Sequence, residues 1–127
     1  MFKILIVEDN ENLQKLYSAI LRGSGYTTLT AGNGEEALEV LGREHVDLMI
    51  LDVMMPVMDG YELTDVLRQG GSEMPILMIT AKSEREDKRT GFLVGIDDYM
   101  TKPVDEEEML LRIKALLRRS KIVSERR

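Results

Sequence analysis

The sequence predicts one α/β domain, a parallel sheet with helices packed on both faces. Three observations carry this. Short, uniformly apolar runs recur, "KILIV" at 3–7, "DLMILD" at 47–52 and "PILMIT" at 75–80, and strands this apolar are buried on both faces. Stretches with apolar residues at helical spacing separate them. The 127 residues suit a single domain with a real core, and no internal repeat or low-complexity segment interrupts them.

Taken in order, "KILIV" reads as the first strand. Leu13, Leu16, Tyr17, Ile20 and Leu21 then recur on one helical face, and "GSG" at 23–25 ends that helix. "TTLTA" at 27–31 is a weaker strand. Asn33 offers a cap with Glu36 three residues on, before the stripe Ala37, Leu38 and Leu41. "DLMILD" is the next buried strand. Asp59 and Glu62 open a helix carrying Leu63, Val66 and Leu67, closed by "GG" at 70–71. "PILMIT" follows as a strand, and Ser83 with Glu86 matches a capping box before a helix reaching about Val94. "DYMT" at 98–101 is a short strand. A last helix runs from about Asp105 to Arg119 with Met109, Ile113, Leu116 and Leu117 inward. Residues 1–119 therefore form the domain, and 120–127, which lack apolar periodicity, read as a linker or tail. Strand–helix alternation of this kind builds a doubly wound sheet through right-handed crossovers.

Composition excludes several classes. No apolar run approaches the eighteen or so residues of a membrane span, and no leader pattern opens the chain. Without cysteine there is no disulfide framework and no thiolate metal site, which is compatible with a reducing cytoplasm. His45 is the only histidine, so serine–histidine triads and multi-histidine zinc sites are ruled out. The net charge of −6 divides unevenly: residues 1–113 carry 11 basic against 22 acidic side chains, and residues 114–127 carry six against one. The acidic body is a poor nucleic-acid binder. The basic end reads as cations at a helix C-terminus.

In an open parallel sheet, ligands bind beyond the carboxyl ends of the strands. Glu8 and Asp9 follow the first strand, Asp52 the third, Thr80 the fourth and Lys102 the fifth. Singly these are ordinary loop residues; together on one edge they make a site. Crowded carboxylates repel unless a cation joins them. All-oxygen ligands favour a hard ion such as Mg²⁺, which often bridges carboxylate and phosphate. Lys102 and Thr80 suit phosphoryl oxygens, and a carboxylate beside a metal and a lysine is a competent nucleophile toward phosphorus. The first turn, "VEDNEN", has no glycine, so the glycine-rich nucleotide cradles are absent.

"ILIVEDN", "LDVMMPVMDG", "ITA" and "DDYMTKP", in this order and spacing, resemble the receiver domain of two-component response regulators over about residues 2–119. The resemblance implies a flavodoxin-like (CheY-like) five-stranded parallel sheet of order 2-1-3-4-5 with five helices; that order is a known example for chemotaxis receivers. It implies that a sensor histidine kinase phosphorylates Asp52. Glu8, Asp9, Asp52 and the backbone carbonyl of Met54 would hold one Mg²⁺, with Asp9 the more direct acid. Thr80 matches the switch hydroxyl, Ala81 the small residue at the phosphoryl pocket and Tyr99 the switch aromatic. Lys102 matches the phosphate-contacting lysine, and Pro103 implies a cis Lys–Pro bond. On its residues alone, Tyr99 reads as a half-buried strand aromatic, the methionines as core and loop filler and His45 as exposed.

On phosphorylation, Thr80 is expected to move toward the phosphoryl group and Tyr99 to turn into the vacated space. The last helix and "DDY" resemble the OmpR/PhoB subfamily, which implies a homodimer when phosphorylated and DNA binding only through a further C-terminal domain. On that pattern Lys88–Glu108, Asp98–Arg112 and Asp97–Arg119 pair across a two-fold interface. Leu93 departs from it, standing where an acid is frequent. The domain would then be a regulator, not an enzyme, acting only on its own phosphoryl group. The other readings are a stand-alone receiver working by protein contact, a Mg²⁺-dependent aspartyl-phosphate hydrolase, and a structural binding module. The hydrolase usually has a second acid where Met54 stands.

Overall fold

The computed structural model describes residues 1–82 and 84–125. Five parallel strands lie in the order β2-β1-β3-β4-β5. They are β1 (Lys3–Val7), β2 (Thr27–Ala31), β3 (Leu48–Leu51), β4 (Ile76–Thr80) and β5 (Asp98–Thr101), and five helices alternate with them: α1 (Glu11–Gly23), α2 (Gly34–Arg43), α3 (Gly60–Gln69), α4 (Arg85–Val94) and α5 (Glu106–Glu125). This is the predicted doubly wound sheet in the predicted order.

The apolar runs are uniform because each strand feeds two cores. Successive side chains alternate between sheet faces. Leu5, Val7, Met49, Leu51, Ile76 and Met78 pack on one side with Ala37 and Val40 of α2 and Leu63 of α3. Ile4, Ile6, Leu48, Ile50, Leu77 and Ile79 pack on the other with Tyr17 and Leu21 of α1 and Met109 and Ile113 of α5. Every one of these strand side chains is at most 2% exposed, and each such burial contributes about 1.5–3 kcal/mol. The interior is thus sealed along β1, β3 and β4, up to the carboxyl ends that carry the site.

Boundaries moved where side chains found other work. Asp47 stays outside β3, because its carboxylate accepts the Lys3 backbone N–H at 2.8 Å and meets His45 at 2.8 Å; His45 itself is exposed. Asn33 caps α2 and Asp59 closes a reciprocal capping box with Glu62, as predicted. The expected Ser83–Glu86 box is different: Ser83 lies outside the described residues, and α4 starts from Glu84 with no side-chain cap. The last helix does not stop near Arg119 but continues to Glu125, since "SKIVSE" holds neither glycine nor proline to end it.

The chain runs outward from β1 to β2 and returns to place β3 on the other side of β1. Helices on either side of this reversal diverge and leave a crevice over the carboxyl ends of β1 and β3. That crevice holds the acids.

Candidate functional site

Each site residue is held by the end of a strand. Glu8 continues β1, its N–H bonding the Ala31 carbonyl at 3.0 Å. One carboxylate oxygen of Glu8 accepts the Asn10 N–H at 3.1 Å, while Asn10 caps α1 through the Leu13 N–H. Asp52 sits one residue past β3, tied by its N–H to the Val7 carbonyl at 3.1 Å. Its Oδ1 accepts the Met54 N–H at 3.2 Å. The loop beyond turns back tightly: Val57 has φ +70° and the Met58 N–H reaches the Pro56 carbonyl. Gly60 then starts α3 directly against this strand end, where a Cβ would overlap the Asp52 carbonyl. Only glycine fits there.

Lys102 closes the site from β5. Its Nζ lies 2.6 Å from Asp52 Oδ2 and 2.7 Å from Glu8 Oε1, and the Lys102–Pro103 bond is cis. Both acids are nearly sealed, Glu8 2% and Asp52 6% exposed, whereas Asp9 is exposed. Burial pushes the Glu8 carboxyl above its ordinary range, against the opposing pull of Lys102 and the Asn10 amide. Burial alone would lower the Lys102 ammonium, but its bonds to Asp52 and Glu8 hold it above its usual value.

Three carboxylates, Glu8, Asp9 and Asp52, offer oxygen atoms that all lie within 4.8 Å of one another. With one ammonium among them, the cluster keeps a formal charge of −2. Hard oxygen donors carrying that charge fit one divalent cation of the Mg²⁺ type. A buried carboxylate with an ammonium at hydrogen-bond distance also fits nucleophilic attack on phosphorus.

The remaining predicted residues divide into two groups. Thr80 is fully buried at the end of β4 and accepts the Lys82 N–H at 3.4 Å; Ala81 beside it is exposed. Tyr99 is not a half-exposed strand aromatic. It is 7% exposed, and its hydroxyl donates to the Lys82 carbonyl. The ring packs in the core cluster with Met78 and Ile96. Burial drives its hydroxyl pKa well above the ordinary value, with Tyr61 next in effect. Met54 is exposed at the mouth, beside Asp9, Asp59, Tyr61 and Lys82.

Four of the charges expected to pair between two copies, Asp97, Asp98, Glu108 and Arg112, are engaged within one chain. Arg112 bonds Asp98 at 2.9 Å and Glu108 at 3.0 Å, because α5 lies along β5 and Glu108 is one turn earlier on the same helix. Asp97 bonds Arg68 at 2.9 Å and the Ile76 N–H at 2.8 Å, and shares one surface depression with Arg119. Lys88 stands 5.8 Å over the Tyr99 ring. Tyr61, Lys82, Asp87 and Arg68 were not singled out from the sequence. Their roles depend on how α3 meets α4, for which no periodicity signal exists.

The family model described as the response regulator receiver domain matches residues 4–114. The alkaline phosphatase synthesis transcriptional regulatory protein PhoP of Bacillus subtilis is 49% identical over 122 residues, 96% of this chain and 51% of that protein. The transcriptional regulatory protein RprY of Bacteroides fragilis is 42% identical over 117 residues, 92% of this chain and 50% of that protein. The chain thus spans about half the length of the curated relatives it matches. Among solved structures, the receiver domain of the Francisella response regulator 1452 superposes with a TM-score of 0.90 at 30% identity, covering 94% of this chain and 99% of that one. The beryllofluoride-activated DrrB receiver domain gives 0.85 at 35%, covering 93% and 98%.

Proposed function

The chain belongs to the response regulator receiver domain family, and we propose that a sensor histidine kinase phosphorylates it on Asp52 and that its α4–β5–α5 face reads the result. The observation that carries this is the sealed Asp52 carboxylate, bonded at 2.6 Å by Lys102 and grouped with Glu8 and Asp9 on one sheet edge.

In the transfer, an Asp52 carboxylate oxygen attacks phosphorus and the bond from phosphorus to the donor imidazole nitrogen breaks. The bonding pair leaves on that nitrogen, and the product is an aspartyl-phosphate. Glu8 and Asp9, with Asp52 and the Met54 carbonyl, would hold one Mg²⁺. When bound, that ion neutralises charge on the transferring phosphoryl oxygens. Lys102 turns its hydrogen bond from the Asp52 carboxylate to a phosphoryl oxygen. The Thr80 hydroxyl, at the end of β4, donates to another, and Ala81 leaves the mouth open.

Phosphorylation adds about −1.5 to −2 charge and three acceptor oxygens. Drawing Thr80 to this group stabilises the inward Tyr99 arrangement seen here against one with the ring outside. Phosphorylation on this reading selects a state and does not create it. The inward state presents α4, β5 and α5 to a second copy. Phe92, Leu93 and Leu111 are exposed on α4 and α5 and supply the apolar contact. The pairs Lys88–Glu108, Asp98–Arg112 and Asp97–Arg119 add less, since Arg112 and Asp97 exchange partners they already have. Because the curated relatives named above are transcriptional regulators, the dimer is proposed to position an attached DNA-binding part beyond this domain.

The test is incubation with acetyl phosphate and Mg²⁺ for the wild type and Asp52→Asn. The wild type is expected to take up one acid-labile phosphoryl group and the variant none. Equal labelling of both sinks the reading, and multiple turnover on simple phosphomonoesters replaces it with a hydrolase.

A further inference from the structure

We propose that Tyr61 is a positioning residue of the switch: its hydroxyl ties the first turn of α4 to the inward Tyr99, so that the helix and the ring change place together. The proposal rests on the phospho-accepting reading above and assigns the part that carries the signal from β5 to α4.

Helix α4 has few other anchors. Its ten residues include only one buried position, Gly91, its N-cap Glu84 makes no side-chain cap, and no basic residue lies in its last turn. Two tyrosine hydroxyls reach its approach from different elements. Tyr99 on β5 donates to the Lys82 carbonyl in the loop entering α4. Tyr61, in the first turn of α3, donates to the Asp87 carbonyl in the first turn of α4 at 2.9 Å. Tyr61 packs against the core cluster that includes Tyr99, and each of the two hydroxyls affects the ionisation of the other.

The contacts form a continuous path. The Lys82 N–H bonds the Thr80 hydroxyl and the Lys82 carbonyl accepts from Tyr99. Tyr61 stands beside Tyr99 and bonds Asp87, whose carboxylate meets the Lys82 ammonium at 3.7 Å. Lys88, the next residue along, covers the Tyr99 ring. Moving Tyr99 outward frees the Lys82 carbonyl and uncovers the side of Tyr61, while moving α4 breaks the bond to Asp87. Neither displacement leaves the other intact. A tyrosine that merely filled space in α3 needs its ring and not its hydroxyl.

Tyr61→Phe keeps the ring and removes only that bond. In protein labelled with 3-fluorotyrosine, the Tyr99 resonance, assigned by its loss in Tyr99→Phe, reports the ring's surroundings. Without ligand, Tyr61→Phe is expected to shift this resonance toward the solvent-exposed position. It is also expected to speed hydrogen exchange in the first turns of α4 relative to the central strands. Affinity for beryllofluoride with Mg²⁺ should fall about fivefold, the scale of one lost hydrogen bond. An unchanged Tyr99 resonance, an unchanged affinity, or faster exchange spread evenly over the whole domain each overturns the proposal. The wild type tests the underlying reading separately: its Tyr99 resonance should respond to beryllofluoride with Mg²⁺, and Asp52→Asn should abolish that response. A silent wild type sinks that reading, while the ligand-free comparison still decides whether Tyr61 holds the ring.

Discussion

Lys102 faces two carboxylates in a place with little water, and this sets what substitutions do. Removing one partner of a buried ion pair leaves an uncompensated charge. Lys102→Met is therefore expected to lose about 2 kcal/mol of unfolding free energy in metal-free buffer, at the low end for such changes because Lys102 keeps a fifth of its side-chain surface. Urea denaturation measures the loss, and added Mg²⁺ should recover part of it by binding only the folded state. Asp52→Asn should change stability far less, since Lys102 keeps Glu8. The tyrosines set the alkaline limit. Burial raises the hydroxyl pKa of Tyr17 and Tyr99 above their unfolded value of 10. Their contribution is thus complete below pH 10 and lost as the pH climbs beyond it. Tyr17→Phe should flatten the fall in denaturation midpoint between pH 10 and pH 11, and an identical slope would contradict the assignment.

At the scale of elements, the helices differ in how firmly their ends are held. Gly60 lets α3 begin against the Asp52 backbone, so Gly60→Ala must push the helix and the acid-bearing loop apart. Overpacking of this kind costs about 1–3 kcal/mol. Thermal denaturation and phosphoryl uptake should both fall in that variant. Helix α4 is the opposite case, because Glu84 makes no cap; Glu84→Ser should gain about 0.5–1 kcal/mol. These ends mark what the sequence could and could not tell. The strands were legible because burial on both faces leaves only apolar residues, and Asn33 and Asp59 announced their helices through cap chemistry. The end of α5 was misjudged, since weak periodicity after Arg119 does not stop a helix that meets no breaker. Asp47 was lost from β3 to a side-chain bond with Lys3, 44 residues away.

For the whole molecule, topology makes the site. Reversal of strand order at β1 gathers Glu8, Asp9, Asp52, Thr80 and Lys102 from positions spread over 95 residues. All five were legible, because a strand's carboxyl end is read directly from its apolar run. Tyr61 and Arg68 were not. They act across the α3–α4 contact, where Arg68 holds the Gly95 carbonyl and Asp97, and helix-to-helix facing is not written in either helix alone. On its own residues Tyr99 reads as half-buried; its fuller burial comes from packing with other elements, Met78 of β4 among them. Assembly follows the same division between local and shared contacts. With Mg²⁺ and beryllofluoride, sedimentation should show a dimer that Leu111→Asp abolishes and Arg112→Ala weakens only slightly, because Arg112 is already satisfied within its own chain. A dimer indifferent to Leu111 would move the interface elsewhere.

The central claim is that Asp52 itself carries the phosphoryl group. Borohydride reduces an aspartyl-phosphate to homoserine, so the modified residue can be located by peptide mass spectrometry after treatment with acetyl phosphate and Mg²⁺. The account predicts homoserine at position 52 and at no other acid. Homoserine at Asp9 or Asp59, the five-carbon alcohol 2-amino-5-hydroxypentanoate at Glu8, or an unreduced chain after full incubation would contradict it.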